Sequence, residues 1–241
     1  MKYSLMTDKG IIRPTNQDSC FVSLLDADSC LAVVCDGMGG SNAGDIASDI
    51  AVKTISERIT AAWRAGITAA SAVNLLTTAI TAANICIYDY ANENKQFSGM
   101  GTTVVAAIVI KDSLVVAHAG DSRAYLFGSQ MKCITKDHSL VQDMVDAGRL
   151  TAEQARFHPD KNYITRALGI EERVEIDFSE LPFDKKDKLL LCSDGLTNFV
   201  SESKMSEIMS VQKTEDIAEQ LIREANNNGG GDNITAVVIS K

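Results

Sequence analysis

Thr102-Thr103-Val104-Val105-Ala106-Ala107-Ile108-Val109-Ile110-Lys111-Asp112-Ser113-Leu114-Val115-Val116-Ala117-His118-Ala119 is the stretch that decides the fold. Two apolar, β-branched runs flank the polar turn Lys111-Asp112-Ser113 and read as a hairpin, hence as antiparallel pairing. A second hairpin, Arg123 to Phe127 and Met131 to Thr135, follows around Gly128-Ser129. Upstream, β-prone segments lie at 2–6 and 20–25, and an apolar run at 30–35 ends in Asp36-Gly37-Met38-Gly39-Gly40.

Two amphipathic helices come between these blocks. Ile46, Ile50, Ile55 and Ile59 recur near helical period from Ala43 to about Ala62. Val73, Leu76, Ile80, Ala83, Ile87 and Ala91 do so from Ser71 to about Asn92. The short link at Gly66 favours an antiparallel pair. Downstream, residues 139–162 are polar and helical in pieces. Strands are expected at about 173–178 and 188–193, helices near 202–210 and 214–227, and a last strand from Asn233 to Ser240. Strand runs separated by paired helices do not fit a regular β-α-β alternation. The expected class is α+β, an antiparallel β-sandwich core flanked by pairs of antiparallel helices.

At 241 residues, with three prolines and no low-complexity linker, one domain over 1–241 is the simplest organisation. Hydrophobic residues at 45% and charged residues at 23% match an ordinary globular chain and argue against extended disorder. The formal charge of −9 makes the chain a poor ligand for nucleic acid or an anionic membrane, which need clustered Lys and Arg. With no secretory leader or long apolar stretch evident, a cytoplasmic location without membrane insertion is expected. Six cysteines without a C-x-x-C pair, several inside apolar runs, read as buried thiols.

Four aspartates sit in glycine-rich turns beside strand-like runs: Asp36 in Val33-Val34-Cys35-Asp36-Gly37, Asp121 in Ala119-Gly120-Asp121-Ser122, Asp194 in Cys192-Ser193-Asp194-Gly195, and Asp232 in Gly230-Gly231-Asp232-Asn233. A single Asp-Gly is most often only a turn. Four at strand ends can project carboxylates beyond a sheet edge and let them converge. Two like charges about 4 Å apart repel by about 4 kcal/mol at an effective dielectric near 20, so such a cluster must protonate or hold cations. Oxygen ligands with few histidines and no thiolate pair point to Mg²⁺ or Mn²⁺ before Zn²⁺.

Arg13-x-x-Asn16-Gln17-Asp18, Asp36-Gly37-Met38-Gly39-Gly40, Gly101-Thr102-Thr103, Ala119-Gly120-Asp121-Ser122-Arg123, Asp137-His138-Ser139, Cys192-Ser193-Asp194-Gly195 and Gly231-Asp232-Asn233 occur in the order seen in metal-dependent serine/threonine protein phosphatases of type 2C. The chain resembles the compact bacterial members over nearly its whole length. The resemblance implies hydrolysis of phosphoserine and phosphothreonine by direct attack of a hydroxide bridging two Mn²⁺ or Mg²⁺ ions. It implies that Asp36 bridges the ions, that the Gly37 carbonyl completes one site and that Asp194 and Asp232 hold the other. Asp121, with Asp194, would support a third, weaker site. Asp18 would lie near the metal-bound waters, and Arg13 would grip the phosphate with a planar fork that lysine lacks. Implied partners are phosphoproteins, substrates of a serine/threonine kinase, and a monomer is expected. Residues 139–162 correspond to a flap beside the cleft, and Asn162 to Gly169 to the segment returning the chain to the sheet.

Two departures stand out. Bacterial relatives place a histidine where this chain has Ser41, eukaryotic ones where it has Met38, and that histidine is the proposed general acid. Gln17 replaces a frequent Glu. His118, His138 and Arg166 read as structural, His158 as solvated.

Rival readings are weaker. Asp26-Ala27-Asp28-Ser29-Cys30 comes close to the aspartate nucleophile motif of haloacid-dehalogenase-like phosphatases but reads as a hairpin turn. None of the six cysteines has an arginine six residues later to cradle a phosphate. A pseudophosphatase, the same fold used as a scaffold, usually lacks metal-ligating aspartates, and Asp36, Asp194 and Asp232 are present.

Overall fold

The computed structural model describes the backbone of residues 1–241 and the side chains of all but 40–42, so Ser41 falls outside the described side chains. In chain order the elements are β1 (Lys2–Asp8), β2 (Asp18–Asp26), β3 (Ser29–Met38), α1 (Gly40–Ala62), α2 (Ala69–Glu93), β4 (Gly101–Thr102), β5 (Val104–Ile110), β6 (Ser113–Ala119), β7 (Arg123–Phe127) and β8 (Met131–Cys133). There follow α3 (Leu140–Asp146), α4 (Ala152–Arg156), β9 (Asp177–Pro182), β10 (Lys188–Cys192), α5 (Asp194–Thr197), α6 (Glu202–Val211), α7 (Thr214–Asn227) and β11 (Ile234–Ser240).

Two antiparallel sheets, β1-β11-β10-β7-β8 and β2-β3-β5-β6-β9 with β4 beside β3, form the sandwich. The expected hairpin is present, with Ile110 opposite Ser113 and Val104 opposite Ala119. Its strands are apolar on both faces because both are covered. Cys30, Ala32, Val34, Val105 and Ala107 meet Leu189, Leu191, Val237 and Ile239 between the sheets. The alternate residues Leu31, Val33, Ala106 and Ile108 pack under Ile55, Ile59, Leu76 and Ile80 of α1 and α2. On the outer face of the other sheet, Leu190, Ala236 and Val238 pack with Met205 of α6 and Ile217 and Leu221 of α7. Each strand face buried in this way removes apolar area worth about 25 cal/mol per Å².

The second helix of the pair begins where Thr68 accepts a hydrogen bond from the Ser71 amide and caps α2. By length and composition α2 could cross a membrane (hydropathy 1.5). Its Leu76, Ile80, Ala83 and Ile87 are fully buried in the core, which accounts for its apolar character.

Two elements differ from expectation. The strand expected at about 173–178 pairs only from Asp177, because its partner β6 runs from Ser113 to Ala119 and Asp177 already lies opposite His118. Val174 and Ile176 still pack against the helix-covered core. The four-residue α5 directly after β10 was not expected. Residues 139–162 contain α3 and α4, so this segment is helical in pieces.

Candidate active site

Asp18 opens β2 and lies directly opposite Asp36 near the end of β3. Directly opposed residues in an antiparallel pair carry their side chains on the same face about 5 Å apart, so register alone brings these two acids together. The β6–β7 turn presents Asp121, the end of β10 presents Asp194, and the start of β11 presents Asp232. Asp36, Asp121, Asp194, Asp232 and Arg13 line one open cleft of about 460 Å³ at this end of the sandwich, with Asn162 and Ile164 on another wall.

The turns need their small residues. A side chain on Gly37 would overlap the carbonyl of Gly44, where α1 crosses the end of β3, and one on Gly195 would overlap the carbonyl of Asn233. Gly120 has φ +114°, a left-handed value that suits glycine, and a Cβ there would strike Thr103.

The acids interact strongly. Burial, then the neighbouring Asp18, Asp194, Asp121 and Asp232, pushes the Asp36 carboxyl well above the ordinary range. Burial and Asp194 do the same to Asp121. Asp194 is raised to about 6 by burial and then Asp232, with Asn198 and Lys161 opposing. Asp18 is raised to about 7, chiefly by burial, even though hydrogen bonds from Thr235 and Ser193 pull it down. Among the described residues, Asp18 Oδ1 is buried with no protein partner. Buried acids that raise one another's pKa and an orphaned oxygen together form an all-oxygen donor set that fits a hard divalent cation.

Residues with no role in the sequence reading hold these acids. Asp18 Oδ2 accepts hydrogen bonds from Ser193 Oγ and Thr235 Oγ1, both at 2.7 Å. Asn198 Nδ2 donates to Asp194 Oδ2 at 3.0 Å. The Asp36 carbonyl accepts from the Thr103 amide and Thr102 Oγ1, each at 2.9 Å, while the Asp36 amide donates to Thr103 Oγ1. Asn233, 6% exposed, accepts from the Gln17 amide at 2.8 Å and donates to the Lys9 and Thr15 carbonyls, both at 2.9 Å, clasping the loop that carries Arg13. The Arg13 guanidinium forks onto Asp232 with Nε–Oδ1 and Nη2–Oδ2 both 3.0 Å.

A second cluster, His118, His138 and Asp177, lies behind Asp121, with ligand atoms within 4.8 Å of one another and therefore compatible with metal binding. In the structure it is engaged otherwise. His138 Nδ1 accepts from the Gly120 amide, so its proton sits on Nε2 facing Asp177, and Arg166 donates to Asp177 at 2.9 Å. His118 Nε2 contacts the Lys136 carbonyl. These side chains thus make structural hydrogen bonds, as expected of His118, His138 and Arg166. His158 accepts from the Asp160 amide. Asp26 closes the β2–β3 turn, accepting from the Asp28 amide and Trp63 Nε1. A strand's length of about 27 Å from Asp18, it is outside the cleft.

Residues 13–228 match the family model described as Protein phosphatase 2C. The serine/threonine phosphatase stp of Listeria innocua is 42% identical, the alignment covering 100% of this chain and 96% of that one. The solved structure of the serine/threonine phosphatase Stp1 from Staphylococcus aureus superposes with a TM-score of 0.93 at 37% identity, covering 100% of this chain and 94% of that one. The catalytic domain of the serine/threonine phosphatase PstP, solved with 2 manganese ions, gives a TM-score of 0.86 at 33% identity over 98% of this chain and 96% of that one. Family match, full-length relatives and shared architecture agree: the chain belongs to the protein phosphatase 2C family of serine/threonine phosphatases.

Proposed function

We propose that residues 1–241 form one catalytic unit that removes phosphate from phosphoserine and phosphothreonine in substrates of a serine/threonine kinase, acting as a monomer in the cytoplasm. The observation that carries this reading is the meeting of Asp36, Asp121, Asp194 and Asp232 beside Arg13 in one cleft, with Asp18 paired opposite Asp36. Asp36, the Gly37 carbonyl, Asp194 and Asp232 would hold two Mn²⁺ or Mg²⁺ ions, and Asp121 with Asp194 a third, weaker one. When bound, such ions supply charge neutralisation and an acidified water for attack in line with the scissile P–O bond.

The chain's own groups do the rest. Arg13, whose fork rests on Asp232 in this structure, would turn that two-pronged donor to two phosphate oxygens at once when Asp232 holds an ion. Asp18, fixed through Oδ2 by Ser193 and Thr235, keeps a buried Oδ1 with no other protein partner among the described residues, an acceptor for a water held among the acids. Thr102 and Thr103 fix the backbone of Asp36, and Asn233 fixes the loop of Arg13, so the charged groups stand in place before substrate arrives. With Ser41 where relatives have histidine, the leaving serine or threonine oxygen takes its proton from water. The flap, about residues 139–162, supplies the wall that ends in Asn162 and Ile164. Hydrolysis of a phosphothreonine peptide with Mn²⁺, and its loss with a chelator or in Asp36→Asn, tests the reading; wild-type-like rates in Asp36→Asn contradict it.

A further inference from the structure

We propose that the loop carrying Arg13 is a docking edge for the substrate polypeptide, and that it selects phosphopeptides with a large apolar residue close to the phosphorylated one; this rests on the phosphatase reading above. Ile11 and Ile12 immediately precede Arg13 and are 63% and 70% exposed. Tyr163, between the cleft-lining Asn162 and Ile164, is 65% exposed, so exposed apolar residues directly adjoin cleft-lining residues in two segments of the chain. Single exposed apolar residues are ordinary on a protein surface, but two adjacent isoleucines directly preceding the cleft-lining Arg13 and Pro14 give an apolar edge next to the site.

The loop is also held rigidly. The Ile11 amide donates to the Gly230 carbonyl at 2.7 Å, the Ile12 amide to the same oxygen at 3.3 Å, and Asn233 ties down Lys9, Thr15 and Gln17. The Gly230 carbonyl belongs to the turn that leads into Asp232, so the apolar edge and the acidic cluster share one frame. A preorganised edge loses little entropy when it is covered, which favours binding through it. An extended chain fits: its phosphoresidue reaches Arg13 and the acids, and a neighbouring Leu, Ile or Phe side chain covers Ile11 and Ile12.

The test compares two phosphothreonine peptides that differ only in having Leu or Gln at the positions within three residues of the phosphothreonine, assayed in saturating Mn²⁺ alongside p-nitrophenyl phosphate. The wild type is expected to prefer the Leu peptide about tenfold in kcat/KM, chiefly through KM. The double variant Ile11→Ser with Ile12→Ser is expected to lose that preference. A second measurement needs no variant: the dephosphorylated Leu peptide should compete with p-nitrophenyl phosphate hydrolysis where the Gln peptide does not. Equal rates on both peptides, or a preference that survives in the double variant, overturns the docking edge while p-nitrophenyl phosphate hydrolysis leaves the phosphatase reading standing. A wild type that cleaves none of the three substrates overturns the reading beneath it.

Discussion

Asp194→Asn should make the metal-free protein more stable while removing its function. In the folded chain the Asp194 carboxyl is raised from 3.8 to about 6, first by burial and then by Asp232. Ionising it in the folded state is therefore harder than in the unfolded state by about 3 kcal/mol, at 1.36 kcal/mol per pH unit. The sign follows from linkage. Below about pH 4 the acid is protonated in both states and the substitution changes little. As pH rises through about 6, the folded wild type must release a proton that the unfolded chain has already lost, and its stability falls by up to that amount. Asparagine keeps an oxygen to accept from Asn198 and carries no charge, so the variant escapes the loss. For a chain of this size, about 3 kcal/mol corresponds to about 6–12 °C in Tm. Thermal unfolding in chelator at pH 5 and pH 8 reads it: the variant's Tm advantage should be larger at pH 8. Mn²⁺ at about 1,000 times its Kd should reverse the order, raising wild type by about 4.1 kcal/mol, more than the about 3 kcal/mol at stake, and leaving the variant nearly unmoved. A variant no more stable than wild type at pH 8 in chelator, or equally stabilised by Mn²⁺, would refute the reasoning.

Asp121→Ala should raise the Mn²⁺ concentration for half-maximal activity about tenfold and leave kcat at saturating metal within a few-fold, measured by metal titration of the rate; lost turnover at all concentrations would place Asp121 among the tight ligands. Ser193→Ala and Thr235→Val each remove one hydroxyl from Asp18, and at about 1.5–3 kcal/mol for a hydrogen bond to a charged group, kcat should drop about 10- to 100-fold. Rates within twofold of wild type in both would show that Asp18 needs no such support. Asn84→Ala removes a buried amide that accepts from the Gly169 amide and donates to the Glu171 and Glu172 carbonyls. It should lower stability by about 2–4 kcal/mol by denaturant unfolding, with metal affinity unchanged.

The architecture was legible wherever a local pattern implied it. The Lys111-Asp112-Ser113 turn between β-branched runs gave the central hairpin, and the spacing of Leu76, Ile80 and Ile87 gave α2, because turn chemistry and helical period are properties of neighbouring residues. The expected strand at 173–178 failed for a non-local reason: Val174 and Ile176 alternate like a strand, yet the paired partner ends at Ala119. The acids were legible as aspartates in glycine-containing turns beside strand-like runs, but their meeting was not. The opposition of Asp18 and Asp36 depends on β2–β3 register, which the continuous apolar run of β3, buried on both faces, does not fix. Ser193, Thr235, Asn198 and Asn233 had motif positions or none, and no pattern announced their roles. Ser193 lies 175 residues from the Asp18 it supports, and Thr235 lies 217.

The central claim is that distant acids build a cation-holding centre at the open end of the sandwich. Anomalous diffraction from a crystal grown in Mn²⁺ tests it most directly. Two strong peaks should appear within about 2.2 Å of carboxylate oxygens of Asp36, Asp194 and Asp232, and both should vanish or weaken in Asp36→Asn. Peaks elsewhere on the surface, or an acid cluster without any manganese at saturating concentration, would contradict it.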